Sequence, residues 1–421
     1  MASAGGAAGG GASGESSTKR YRLQKESELR VEVGWEAPLK VQLLSGNAEI
    51  FGTELPPAVS MIFPPAHKIA IFTWNGATVE LDGTAEVAYV ADEARCRFFW
   101  ALIEESRLLW VIVVGPTDSG KSSLTRMLLG WAARRSWKPT YVELDIGQGS
   151  ITIPGTIAAT PIEMPIDPIE GVPLEVPLVF FYGHTTPSVN TDLYRVLVKE
   201  LARTLELQFA ANPDARAAGM VINTMGWVEG IGYELLLHAI NTFNADVVLV
   251  LGQEKLYSML KDVLKDRPGV DIVKLHKSGG VVNRNSKYRS RSRVLKTKEY
   301  FYGPADDLSP HASVANFNDL QVFRIGGGPQ APRSALPIGA EPTADPTRVV
   351  PVTISRDLMH AVLAVSYAKD PEQLLSSNVA GFIYVTDVDI PRFVTLTFHL
   401  RKQSAPEENY LRCTVPWTTS K

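Results

Sequence analysis

Gly115-Pro116-Thr117-Asp118-Ser119-Gly120-Lys121-Ser122 fits the pattern G-x-x-x-x-G-K-[ST] at every fixed position, with Ser123 following. Ahead of it, Trp110-Val-Ile-Val-Val114 is a short β-branched apolar run of the kind that forms a buried parallel strand. Behind it, Leu124, Met127, Leu128 and Trp131 recur at helical spacing, and Pro139 lies beyond the run as at a helix exit. Strand, glycine loop and helix N-terminus make a phosphate cradle, because backbone N–H groups converge on the anion and the helix dipole favours it. Lys121 is expected to reach the β- and γ-phosphates, and the Ser122 hydroxyl to ligate Mg²⁺. A glycine turn that matches by accident is the bland alternative, and the strand-to-helix context argues against it. The reading is a nucleoside triphosphate site. No Asn-Lys-x-Asp tetrapeptide follows a later strand, so ATP is the better guess than a guanine nucleotide.

A chain of 421 residues has room for two to four domains. With 45% hydrophobic and 21% charged residues it can bury a core, and a net charge of −3 confines any nucleic-acid contact to a local basic patch. Two distant cysteines, Cys96 and Cys413, suit a reducing compartment and make neither a zinc site nor a disulfide framework. Residues 1–18 are mostly Gly, Ala and Ser with few charges and no apolar segment, which predicts a disordered tail rather than a signal peptide. No apolar run approaches the ~18 residues of a membrane span, so a soluble intracellular protein is expected.

Residues 19–91 alternate apolar and polar in short runs such as Leu29-Arg-Val-Glu-Val33, with turns at Ser45-Gly-Asn47 and Asn75-Gly76, which predicts a small all-β domain. Residues 92–109 read as a linker. From 110 to 303, apolar strands (Tyr141 to Leu144, Val179 to Tyr182, Met220 to Ile222, Val247 to Leu251, Ile272 to Leu275) alternate with amphipathic helices, predicting a parallel P-loop sheet covered on both faces. Residues 304–421 return to mixed α+β, with a strand at Leu320-Gln-Val-Phe-Arg-Ile325, a helix from Asp357 to Ala368, and an end from Thr397 onward too polar for a final strand pair. The expected class is α/β, a central P-loop sheet between an N-terminal all-β and a C-terminal α+β domain.

The second phosphate-site element is Val142-Glu-Leu-Asp145-Ile-Gly-Gln-Gly149. A carboxylate at the end of a strand beside the glycine loop can hold the metal shell or accept a proton from an attacking hydroxyl. Asp145 is preferred to Glu143 on the expectation that the two point to different faces; a turn aspartate capping the next segment is the competing reading. The densest cationic stretch, Lys274 to Lys298, contains Arg284, Arg289 and Arg293 at spacings that bring them together on a helix, with no Asp or Glu between. It could be an arginine lid over transferring phosphates, a solvated helical face, or a nuclear-localisation or nucleic-acid patch. Asn223-Thr-Met-Gly-Trp227 ends a strand, so Trp227 either presents an indole for base stacking or packs beneath a loop. His184, after Tyr182-Gly, reads most simply as a structural histidine.

Taken together, these residues resemble the eukaryotic polyribonucleotide 5′-hydroxyl kinases that also serve as a subunit of the pre-mRNA cleavage and polyadenylation machinery. The resemblance covers most of the chain. It rests on Glu28 to Val33, Asn47 to Leu55, Phe72-Thr-Trp74, Gly115 to Ser122, Leu144 to Gly149, Asn223 to Trp227, Ser278-Gly-Gly-Val-Val282 and Glu299-Tyr-Phe-Tyr-Gly303. It implies transfer of phosphate from ATP, with Mg²⁺, to an RNA 5′-hydroxyl in the nucleus, alongside other cleavage-complex subunits and with no membrane. A non-catalytic ATP-holding scaffold is the alternative. By resemblance, Gly115 through Ser123 and Glu28 bind nucleotide, Glu28 at the adenine end. Asp145 activates the hydroxyl, Thr224, Gly226, Trp227 and Gln148 hold the RNA end, and Arg284, Arg289 and Arg293 are lid arginines acting with Lys121. Two features depart from the family pattern: the segment 92–109 lacks its Thr-Pro-Met string and helix, and the far end is unusually polar.

Overall fold

The structure is a computed structural model that describes residues 18–91, 110–172, 177–304, 306–316, 319–326 and 345–389, and the backbone of 395–400 and 411–415. The expected tail and the linker 92–109 lie outside the described residues. Two compact units are formed, one within Met1–Ile50 and Glu54–Ala94, the other within Phe51–Thr53 and Arg95–Lys421.

The first unit is all β. Its strands are β1 (Lys19–Leu23), β2 (Ser27–Val33), β3 (Leu39–Gly46), β4 (Glu49–Ile50), β5 (Thr53–Glu54), β6 (Ser60–Phe63), β7 (Lys68–Thr73), β8 (Ala77–Asp82) and β9 (Ala85–Ala91). They make two sheets, ordered β1-β8-β3-β6 and β5-β4-β7-β2-β9. The alternation read from the sequence is the packing: in β2 the residues Leu29, Val31 and Val33 are buried while Glu28, Arg30 and Glu32 between them stay partly exposed.

The second unit opens with β10 (Trp110–Val114), α1 (Lys121–Arg134), β11 (Thr140–Glu143), β12 (Thr156–Pro161), β13 (Leu178–Phe181) and α2 (Thr191–Ala211). There follow α3 (Pro213–Ala217), β14 (Met220–Asn223), α4 (Ile231–Thr242), β15 (Val247–Leu251), α5 (Glu254–Leu264), β16 (Asp271–Leu275) and α6 (Ser286–Tyr302). The sheet order is β13-β12-β11-β14-β10-β15-β16. The five strands from β11 to β16 are parallel, and β10 lies between β14 and β15. Ile112, Val114, Val142, Ile222, Val248 and Val250 pack in one apolar cluster with residues of α2, α4 and α5. Helix α1, buried through Leu124, Leu128 and Trp131, covers β10 and β14. The sheet is mixed at one edge, where β12 is antiparallel to both β11 and β13. Sequence reading passed over β12, since Thr156-Ile-Ala-Ala-Thr-Pro is short, alanine-rich and ended by proline.

Beyond α6, strands β17 (His311–Ala315), β18 (Leu320–Ile325), β19 (Val349–Pro351), β20 (Val362–Ser366), β21 (Val379–Asp389), β22 (Thr395–Leu400) and β23 (Leu411–Val415) form a fourth sheet, ordered β17-β22-β21-β20-β23-β18-β19. Two expectations are corrected here. The segment expected to be helical from Asp357 to Ala368 is a 3₁₀ turn, Arg356–Leu358, followed by strand β20. Its apolar run Ala361 to Val365 is uniformly buried, the pattern of a central strand, which periodicity does not separate from a buried helix. The polar far end does supply its strand pair: β22 joins β17 and β21, and β23 fills the gap between β18 and β20. Backbone pairing there does not require an apolar sequence.

Candidate active site

The carboxyl ends of three adjacent strands, β11, β14 and β10, converge on one loop cluster, the place where open α/β sheets bind ligands. Gly120 caps α1 with φ of 96°, a left-handed backbone that glycine adopts without steric cost, and no side chain caps the helix. The N–H groups of the first turn are therefore left for an anion. Lys121 is 7% exposed. Its Nζ donates to the carbonyls of Gly115 and Pro116 at 3.0 and 2.9 Å, which leaves the third proton for a phosphate oxygen. Burial lowers its pKa, and the charges of Asp145, Asp118 and Glu143 pull it back up. The Ser119 hydroxyl is buried without a partner, as a group waiting for a polar ligand would be. Pro116, Thr117 and Ser123 line the same loop and first turn, and the exposed Ser122 hydroxyl accepts a hydrogen bond from Asn223 Nδ2 at 3.3 Å.

Asp145 stands two residues past the end of β11. Its Oδ1 accepts the N–H groups of Gly147 and Gln148 at 2.9 and 3.2 Å, which leaves Oδ2 for the site. Burial raises its pKa, while Lys121, the two N–H groups and Arg289 hold it down. Gln148 enters this arrangement through its backbone. Glu143, set aside in favour of Asp145, is no bystander. It is buried and accepts from Tyr141 Oη at 2.6 Å, Asn223 Nδ2 at 2.9 Å, the Asp145 N–H at 3.0 Å and Ser150 Oγ at 3.3 Å. Burial and the neighbouring Asp145 charge push its carboxyl up to about 7. Glu143 thus ties β11 to β14, sets Asp145 and, through Asn223, reaches Ser122.

The loop after β14 lies directly on the phosphate loop. A Cβ on Gly226 would stand 2.4 Å from Thr117 Oγ1 and 2.6 Å from its Cα, so only glycine fits. The Thr224 hydroxyl is buried and donates to the Val113 carbonyl at 2.8 Å, which fixes the loop on β10. Trp227 is half-buried, packed on the main apolar cluster and against Gly232. Part of the indole packs and the remainder is accessible.

The cationic stretch lies on the phosphate loop. Arg289 Nη2 donates to Asp118 Oδ2 at 2.6 Å, and the Arg284 N–H donates to the same oxygen at 2.9 Å. Arg284 does not share the helix with the others, as its spacing suggested. It precedes α6, whose cap is Asn285, and its guanidinium lies over the Tyr288 ring. Arg293 is close enough to Arg289 and Asp145 to feel both charges. Glu28 lies on β2 of the first unit, ion-paired with Arg30. His184, its pKa lowered by burial, meets the Tyr182 ring edge to face.

Residues 22–104, 115–303 and 308–417 match three family models in turn: the N-terminal beta-sandwich domain of polyadenylation factor, the mRNA cleavage and polyadenylation factor CLP1 P-loop, and pre-mRNA cleavage complex II protein Clp1. A Protein CLP1 homolog of Arabidopsis thaliana is 60% identical over 402 residues, 91% of this chain and 90% of its own. The chain belongs to the Clp1 family. A human polyribonucleotide 5′-hydroxyl-kinase Clp1 is 44% identical over 387 residues, covering 89% of this chain and 90% of its own. The solved wild-type Clp1p-Pcf11p (454–563) complex contains a chain alike in fold, with a TM-score of 0.80 at 23% identity over 95% of this chain and 98% of that one.

Proposed function

We infer that this Clp1-family chain is a polyribonucleotide 5′-hydroxyl kinase, using ATP, that works in pre-mRNA 3′-end cleavage and polyadenylation in the nucleus. The observation that carries the chemistry is the meeting of Asp145 Oδ2, Lys121 Nζ and the arginines of α6 at a single glycine loop. The RNA 5′-oxygen attacks the γ-phosphorus in line and the bond to the β-bridging oxygen breaks. Asp145 takes the hydroxyl proton, and ADP leaves with the bridging oxygen. Such transfer needs little covalent help and depends on positioning and on charge neutralisation. Lys121 and the α1 N–H groups hold the phosphates, and Arg293, facing Asp145, meets the charge that develops on the transferring group. The donor set fits Mg²⁺, an oxygen-seeking ion: Ser122 and Asp145 would hold it, and the buried Asn223 Oδ1, without a partner, suits a water of its shell. When bound, the ion neutralises phosphate oxygens. Thr224, Gly226, Trp227 and Gln148 form the RNA side. The partners are 5′-hydroxyl RNA and other cleavage-complex subunits.

Full-length protein incubated with γ-labelled ATP and 5′-hydroxyl RNA tests the reading. Labelled RNA should form, and Lys121→Ala should reduce it by roughly 10²–10³. ATP that is retained and never turned over would replace the kinase with a nucleotide-holding scaffold.

A further inference from the structure

Asp118 occupies a free position of the glycine-loop pattern, and a carboxylate beside a triphosphate site is electrostatically unfavourable. Its geometry gives it another task. The residue has φ of 55°, a left-handed backbone that asparagine and aspartate tolerate better than most. That turn aims Oδ2 at the segment leading into α6 and its first turns, where it accepts both the Arg284 N–H and the Arg289 guanidinium. Arg289 also donates to the Arg284 carbonyl at 3.2 Å, so carboxylate, guanidinium and backbone close a ring at the start of α6. Both charged side chains are largely buried.

Among the described residues of α6 only Phe301, in the last turn, is buried. A helix polar on nearly every face is not held by a core stripe. Among the described residues, both hydrogen bonds from this end to the glycine loop go to Asp118, and Val281 Cγ2 lies 3.1 Å from where a Cβ on Gly120 would be.

We propose that Asp118 is a positioning residue, the catch that holds α6 shut over the phosphate site by binding Arg284 N–H and Arg289, so that Arg289 aligns the helix and Arg293 is set toward the transferring phosphate. Neutralised by Arg289, Asp118 no longer repels ATP. The catch rests on the kinase reading for its consequence, but its mechanical part can be measured without catalysis.

Hydrogen exchange of the full chain, with neither nucleotide nor RNA, reads the first half of α6 directly. Asp118→Asn keeps the left-handed turn and removes the charge. Exchange there should quicken at least about tenfold, the size expected when contacting partners are uncoupled, while α1 stays unchanged. Arg289→Gln, a change outside the glycine loop, should quicken it equally, and the double variant no further. In the kinase assay, D118N should lower kcat about tenfold with KM for ATP unchanged or lower. A role in nucleotide binding would instead raise KM. Unaltered exchange in both single variants, or effects that multiply in the double variant, would overturn the catch. A wild-type chain with no transfer at all would defeat the kinase reading, and the exchange result would still decide the catch.

Discussion

The carboxyl ends of β10, β11 and β14 and the sheet formed by β17–β23 belong to one compact unit, yet they are built on opposite terms. The first encloses Lys121, Glu143, Asn223 and Thr224 out of water and leaves Ser119 Oγ, Thr125 Oγ1 and Asn223 Oδ1 without partners. The second buries Leu358, Leu363, Val365, Ile383 and Val385 together, and no buried polar side chain is found among its described residues. An unpartnered buried polar atom costs about 1–3 kcal/mol. Folding alone does not favour such an arrangement, so the polar region is where ligand chemistry offsets the cost, and the apolar sheet is support.

Four variants sharpen or break this contrast. Asp145→Asn should slow transfer by roughly 10²–10⁴ while nucleotide still binds, measured by single-turnover transfer beside equilibrium binding. A variant that transfers normally would remove Asp145 from the chemistry. Gly226→Ala forces a Cβ into Thr117, and displacing the loop should cost about 10- to 100-fold in kcat/KM for both substrates. A smaller, pH-dependent change is expected for Glu143→Gln. In the fold this carboxyl titrates at about 7 rather than its ordinary 4.5, so it keeps a proton that the unfolded chain has lost. Its contribution to stability is therefore full below about 4.5 and is lost as pH rises to about 7. The always-neutral amide should flatten melting temperature against pH across that window, and an unchanged slope would refute the assignment. Leu363→Ala, in the apolar sheet, should cost about 2–5 kcal/mol of stability in denaturant titration and leave turnover per folded molecule as it was. Loss of turnover without loss of stability would erase the division between the two regions.

The phosphate site was legible because all its cues lie within Trp110 to Trp131: an apolar strand, glycines at fixed offsets, and a helical stripe. Asp145 was legible for the same local reason. Glu143 was not. The expectation that it points away from Asp145 fails because residues two apart share a strand face, and its carboxylate reaches the Asp145 N–H. Its other partners, Tyr141, Ser150 and Asn223, are assembled by strand pairing that no spacing reveals. The Asp118–Arg289 contact spans 171 residues and depends on where a loop falls, so composition showed the arginines but not their counterpart. In the last sheet, β20 was mistaken for a helix because a uniformly apolar run carries no period.

The far end of α6 ends in aromatic contacts. Tyr300 meets Phe382 edge to face at 5.5 Å, Phe382 meets Phe181 at 5.6 Å, and the Phe382 N–H donates to Tyr300 Oη. This cluster makes a fulcrum. The helix spans 17 residues, about 25 Å, so a tilt of only ~10° about that pivot swings its opposite tip by about 4 Å.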